Sequence, residues 1–154
     1  MNIGIIIYSH TGNTLSVGEK ILNACRERGH TCSLKRITPE NDDPNSKAPP
    51  RLLSAPELSD FDAVIFGAPV HAFSLCPVMK AYLTQLKQLE GKKVCCYVTQ
   101  QFSKPWLGGN RAIKQMLALI KSKGADTCAT GIVNWSSKIR EEQITGIAEK
   151  MSRI

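Results

Sequence analysis

Ser9, Thr11 and Thr14 place three hydroxyl groups within six residues, grouped around Gly12. Hydroxyls of this kind, together with free backbone N–H groups, hold anions through hydrogen bonds. The elements on either side supply the rest of the device. Ile3-Gly4-Ile5-Ile6-Ile7 is a continuous apolar run of the kind expected for a strand buried on both faces. After Asn13 the pattern turns helical, with Leu15, Val17, Ile21, Leu22 and Cys25 recurring on one side. The first N–H groups of such a helix lack internal partners, and its dipole places partial positive charge beside the hydroxyl turn. Gly12 lets the backbone close around a ligand. No Lys or Arg lies between Asn2 and Val17, so dipoles and hydroxyls must carry the neutralisation. That suits a phosphate monoester better than a magnesium-bound triphosphate.

The remaining composition bounds the function classes. The chain has 154 residues, 42% hydrophobic and 21% charged, as expected for one domain spanning 1–154 with a core of its own. No apolar run approaches the roughly 20 residues of a membrane span. The start lacks a basic, cleavable leader, and the expected location is the cytoplasm. The six cysteines include no C-x-x-C and no His/Cys cluster at zinc spacing, so no metal is expected. Cys95 and Cys96 should point to opposite faces of one strand; Cys76 should lie beside the ligand cleft. The net charge of +7 is spread over pairs such as Lys35-Arg36 and Lys92-Lys93, without interleaved aromatics. That argues against nucleic acid as a partner.

Along the chain, strands are expected at 3–7, 31–37, 63–66, 93–98 and 127–133. Helices are expected at 13–28, 77–89 and 110–123, with a last one capped by Ser136 or Ser137. Residues 38 to 60 hold five prolines and read as a long surface connection, with at most one short helix near Pro56 to Leu58. Asp42 and Asp43 read there as a solvated turn. Alternating apolar strands and helices give an α/β fold: an open five-stranded parallel sheet, order 2-1-3-4-5, with helices on both faces. Ligands bind such sheets beyond the carboxyl ends of strands 1 and 3, where the winding reverses. The loops after strands 1, 3 and 4 converge there.

Neither the dinucleotide fingerprint G-x-G-x-x-G nor the NTPase loop G-x-x-x-x-G-K-[ST] is present. Ser9-His10-Thr11-Gly12-Asn13-Thr14 instead resembles the phosphate loop of flavodoxins, [ST]-x-T-G-x-T, at every fixed position. The resemblance covers nearly the whole chain and implies a single-domain, flavodoxin-like protein whose cofactor is FMN. It also implies that the loops after strands 3 and 4 clasp the flavin ring. Those loops supply Ala68, Pro69, Val70, His71, Ala72 and Phe73, then Thr99, Gln100, Gln101, Phe102, Trp106, Gly108 and Gly109. Three departures from the electron-carrier flavodoxins stand out. His71-Ala72 occupies the place of their Trp-Gly, and Ala reaches positive φ only with strain. The strand-4 loop lacks their acidic and Tyr pattern. The chain is basic where they are acidic. The function implied is electron transfer between redox partner proteins, the basic charge favouring acidic ones. Two alternatives stay open: an NAD(P)H-dependent FMN or quinone reductase, and a docking module with a vestigial flavin site.

Overall fold

The computed structural model describes residues 1–104 and 106–154. Twelve elements follow one another: β1 (Asn2–Ile7), α1 (Asn13–Glu27), β2 (Thr31–Arg36), β3 (Thr38–Pro39), β4 (Leu52–Ser54), β5 (Ala63–His71), β6 (Ser74–Leu75), α2 (Pro77–Gln85), β7 (Lys93–Gln100), α3 (Gly109–Ser122), β8 (Asp126–Asn134) and α4 (Arg140–Met151). The main sheet runs β2-β1-β5-β7-β8 with every neighbouring pair parallel, which is the expected order 2-1-3-4-5.

The isoleucine run explains the layering. Ile3, Ile5 and Ile7 pack on one side with Val17 and Ile21 of α1 and with Ile144, Ile147 and Met151 of α4. Ile6 faces the other side, with Met79 and Tyr82 of α2 and with Ile113, Met116 and Ile120 of α3. Two helices cover each face, so the strands can be apolar throughout. Cys95 and Cys96 join opposite cores, as their adjacent positions on a strand require.

Several boundaries differ from the sequence reading. No helix forms at Pro56 to Leu58. Instead β3 and β4 pair antiparallel, and the Glu40 N–H donates to the Arg51 carbonyl (2.8 Å), closing residues 40–51 into a strap. Tyr82 Oη donates to the Pro56 carbonyl (2.5 Å), which holds this stretch against α2. The third strand of the main sheet, β5, runs on past Phe66 to His71. Pro69 is tolerated in it because β1 ends opposite Gly67, so Pro69 lies where β1 no longer pairs. Val70 and His71 then fold back on Ser74 and Leu75 as a hairpin. Helix α2 stops at Gln85, four residues early, because Leu86 turns extended; this seats Leu89 in the core, where its N–H donates to the Lys123 carbonyl (2.7 Å). Neither Ser136 nor Ser137 caps α4; the Ser137 hydroxyl accepts from the Ile139 N–H in a turn, and the helix begins at Arg140.

Candidate functional site

Beyond Ile7 the chain leaves the sheet and turns sharply at Gly12, whose φ of 97° is left-handed. Ser9 organises this turn from inside. Its Oγ accepts hydrogen bonds from the N–H groups of Gly12 and Leu15, both at 3.2 Å. The N–H groups of His10, Thr11, Asn13 and Thr14 have no protein partner among the described residues. They lie at the mouth of a 15-residue helix, where unpaired donors can receive an anion. A Cβ built on Gly12 would meet nothing within 4 Å, so the glycine serves the positive φ and not a tight contact.

Thr14 ties this loop to the next. Its hydroxyl shares a hydrogen bond with that of Thr99 (2.8 Å), and its carbonyl accepts from Tyr97 Oη (2.8 Å). One proton serves the Thr14–Thr99 pair, so the other hydroxyl keeps its own for another acceptor. Tyr97 is fully buried, and its phenol is held neutral well above the usual tyrosine range.

A cavity of about 540 Å³ opens at this end of the sheet. Of the residues expected from sequence, His10, Thr11, Asn13, Thr14, Pro69, Val70, His71, Thr99, Gln100 and Gln101 line it. The β1–α1, β5 and β7 loops therefore meet at one place. Ser9, Gly12, Ala68, Ala72, Gly108 and Gly109, also expected there, are absent from the lining. Ala68 is buried in the sheet core. Gly108, at φ 113°, lies so near the hairpin that a Cβ would fall 2.8 Å from both Phe73 Cα and Val70 Cγ1. A Cβ on Gly109 would sit 3.0 Å from Gln100 Oε1.

The aromatic residues are placed differently from what a ring clasp requires. Phe73, Phe102 and Trp106 are 52%, 48% and 69% exposed, and none lines the cavity. Phe73 and Phe102 stack on each other instead, with centroids 5.4 Å apart and planes within 8°. Lys104 Nζ lies 5.7 Å over the Trp106 ring. Pro105, between them, lies outside the described residues. Ala72 and Phe73 form the two-residue tip of the β5–β6 hairpin at φ 48° and 63°, so Ala72 does occupy the strained region.

The sequence reading missed the far wall, which the strap supplies through Asp42, Pro44, Lys47 and their neighbours. Asp42 is half exposed, as a turn residue would be, but it has partners. Its carboxylate accepts from Tyr8 Oη and lies 3.1 Å from His10 Nδ1. Burial alone would raise its pKa; hydrogen bonds from Tyr8 and His10, with the charges of His10 and Arg36, outweigh that and lower it. Burial and the Asp42 contact drive the Tyr8 phenol upward. No local pattern marks Asp42; only the pairing of β3 with β4 carries it back over the loop. Cys76, expected at the cleft, does line it, and burial pushes its thiol up to about 12.

Comparison with known proteins agrees at the level of architecture. No protein-family model matches the chain, and no curated protein matches it. Solved structures do. A flavodoxin of Streptococcus pneumonia TIGR4 superposes with a TM-score of 0.69 over 99% of both chains at 17% identity. The chain has a flavodoxin-like fold. A flavoprotein of Lactobacillus acidophilus NCFM, in complex with FMN, matches at a TM-score of 0.66 and 16% identity, over 92% of this chain and 97% of that one. Rubredoxin oxygen:oxidoreductase of Desulfovibrio gigas contains the same unit: 99% of this chain matches 35% of that one, at a TM-score of 0.70 and 18% identity.

The residues present fit FMN by their chemistry. The β1–α1 loop has four unpaired N–H groups of the kind a phosphate accepts from. Gln100, 5% exposed, lines the same cavity, and its Oε1 is buried with no partner among the described residues. The volume lies within the range of about 300–1,000 Å³ usual for small-molecule sites.

Proposed function

We propose that this protein binds FMN and passes electrons between partner proteins. The observation that carries the reading is the convergence of the unpaired N–H groups of His10, Thr11, Asn13 and Thr14 with the Gln100 wall in one cavity at the sheet's switch point. FMN, when bound, supplies the one- and two-electron chemistry. The chain's own part is to hold the phosphate at the head of α1, to place the ring against the β5 and β7 loops, and to limit its contact with water. The +7 charge favours acidic redox partners.

Binding of FMN and riboflavin, measured side by side on wild type and on a Thr11→Ala, Thr14→Ala variant, tests the phosphate assignment. The variant should lose FMN affinity by about tenfold or more while riboflavin changes little, since hydrogen bonds to a charged group are the strong ones. Equal losses for both ligands, or no binding of either by wild type, would remove the assignment. Adding NADH or NADPH alone to the loaded protein tests the carrier role: rapid bleaching would replace it with a reductase.

A further inference from the structure

The cradle around Gly12 has donors but no built-in charge. A phosphate monoester carries about −1.5 to −2 at neutral pH. Between Asn2 and Val17 the one side chain able to hold a positive charge is His10. Its ring lines the cavity, and its Nδ1 lies 3.1 Å from Asp42 Oδ2. Nε2, on the other side of the ring, has no protein partner among the described residues. Asp42 is itself fixed. Its other oxygen accepts from Tyr8 Oη. The Arg36 guanidinium, which donates to the Ser9 carbonyl at 3.1 Å, adds a stabilising charge nearby. Glu40, Asp43, Lys47 and Arg51 also line the cavity, with charges of both signs.

A carboxylate on one imidazole nitrogen fixes the proton there and orients the ring. We propose that Asp42 is a positioning residue that holds the His10 ring at the phosphate site, with Nδ1–H donated to Asp42 and Nε2 paired with a phosphate-monoester oxygen. The inference rests on the reading of the β1–α1 loop as a phosphate site. It assigns the strap a role, since residues 40–51 carry the second half of an ion pair whose first half sits in the loop. The two halves come from segments 32 residues apart.

The same geometry admits an opposite effect, in which Asp42 repels the phosphate, and the experiment separates the two. FMN and riboflavin affinities are measured for wild type, Asp42→Asn, Asp42→Glu, His10→Gln and the double variant Asp42→Asn, His10→Gln. Asp42→Asn and His10→Gln should each weaken FMN about tenfold, the scale of one charge-assisted hydrogen bond, with riboflavin nearly unchanged. Asp42→Glu should restore most of the loss. In the His10→Gln background Asp42→Asn should cost about twofold or less, because coupled residues are not additive. Tighter FMN binding by Asp42→Asn, equal loss of both flavins, or additive losses in the double variant would overturn the inference while leaving FMN binding intact. Should neither flavin bind wild type, the FMN reading falls, and inorganic phosphate serves as the probe. Its addition should shift the His10 Nε2 resonance in wild type and markedly less in Asp42→Asn. No movement in wild type would overturn the pairing as well.

Discussion

Gly67 of β5 and Tyr97 of β7 are register partners, and the Tyr97 ring lies across the glycine so closely that a Cβ there would fall 2.5 Å from the phenol oxygen. That oxygen donates to the Thr14 carbonyl at the start of α1. The glycine thus makes room for the tyrosine that anchors the anion loop. Gly67→Ala should cost about 1–3 kcal/mol by overpacking and should also weaken FMN, since Tyr97 must shift. Tyr97→Phe should cost about 1 kcal/mol through the lost hydrogen bond while keeping the packing. Urea unfolding of the three proteins, with FMN titrations, checks both; a Gly67→Ala protein as stable as wild type would show that Tyr97 has another place to go.

The hairpin tip pairs two left-handed residues, Ala72 at φ 48° and Phe73 at φ 63°. Two-residue hairpin loops of this kind favour Asn followed by Gly. Ala72→Asn should therefore stabilise the chain by about 0.5–1 kcal/mol, read as a rise in Tm of roughly 1–4 °C. Gly108→Ala should act in the opposite sense. Its Cβ would meet Phe73 backbone and Val70, and its own φ of 113° disfavours any side chain. Thermal melts of the two variants should move in opposite directions.

All three tyrosines are held neutral above their usual range. For Tyr82 and Tyr97 the cause is burial first; for Tyr8 burial is joined by the Asp42 hydrogen bond and charge. A raised pKa contributes stability that is fully present below the unfolded value of about 10 and is lost as pH rises through the folded values. Alkaline titration should show no tyrosinate absorbance until the fold gives way. The absorbance and circular dichroism transitions should then coincide. A tyrosinate signal that develops near pH 10 with the dichroism unchanged would contradict the burial of these phenols.

Electron transfer to an acidic redox protein should slow as salt rises, because the Debye length falls to about 10 Å at 0.1 M and the +7 charge steers the encounter. Stopped-flow rates across an ionic-strength series measure this. Rates that stay flat would strip the basic surface of any steering role.

Much of this protein is written locally. The run Ile3 to Ile7 forces a strand covered on both faces, because apolar side chains alternate to both sides. The turn Ser9 to Thr14 dictates a left-handed glycine and a helix start, because the Ser9 hydroxyl accepts from the N–H groups of Gly12 and Leu15 just beyond it. The alternation of such segments is enough for the order of the main sheet. Where long-range contacts compete with local preference, the chain alone is silent. Leu86 leaves a helical pattern because Leu89 gains a core site and a bond to Lys123. Phe73 and Phe102, 29 residues apart, find each other and not the cavity because the hairpin tip and the β7–α3 loop happen to meet. Asp42 sits in a stretch with no periodicity at all, and its meeting with Tyr8 and His10 depends on the pairing of β3 with β4. The sequence by itself determined the main sheet, the helices that cover it and the glycine turn after β1, since each is specified by neighbours in the chain. Only the tertiary structure decided what closes the cleft, since that wall depends on the pairing of β3 with β4 and on Asp42 meeting Tyr8 and His10 from more than thirty residues away.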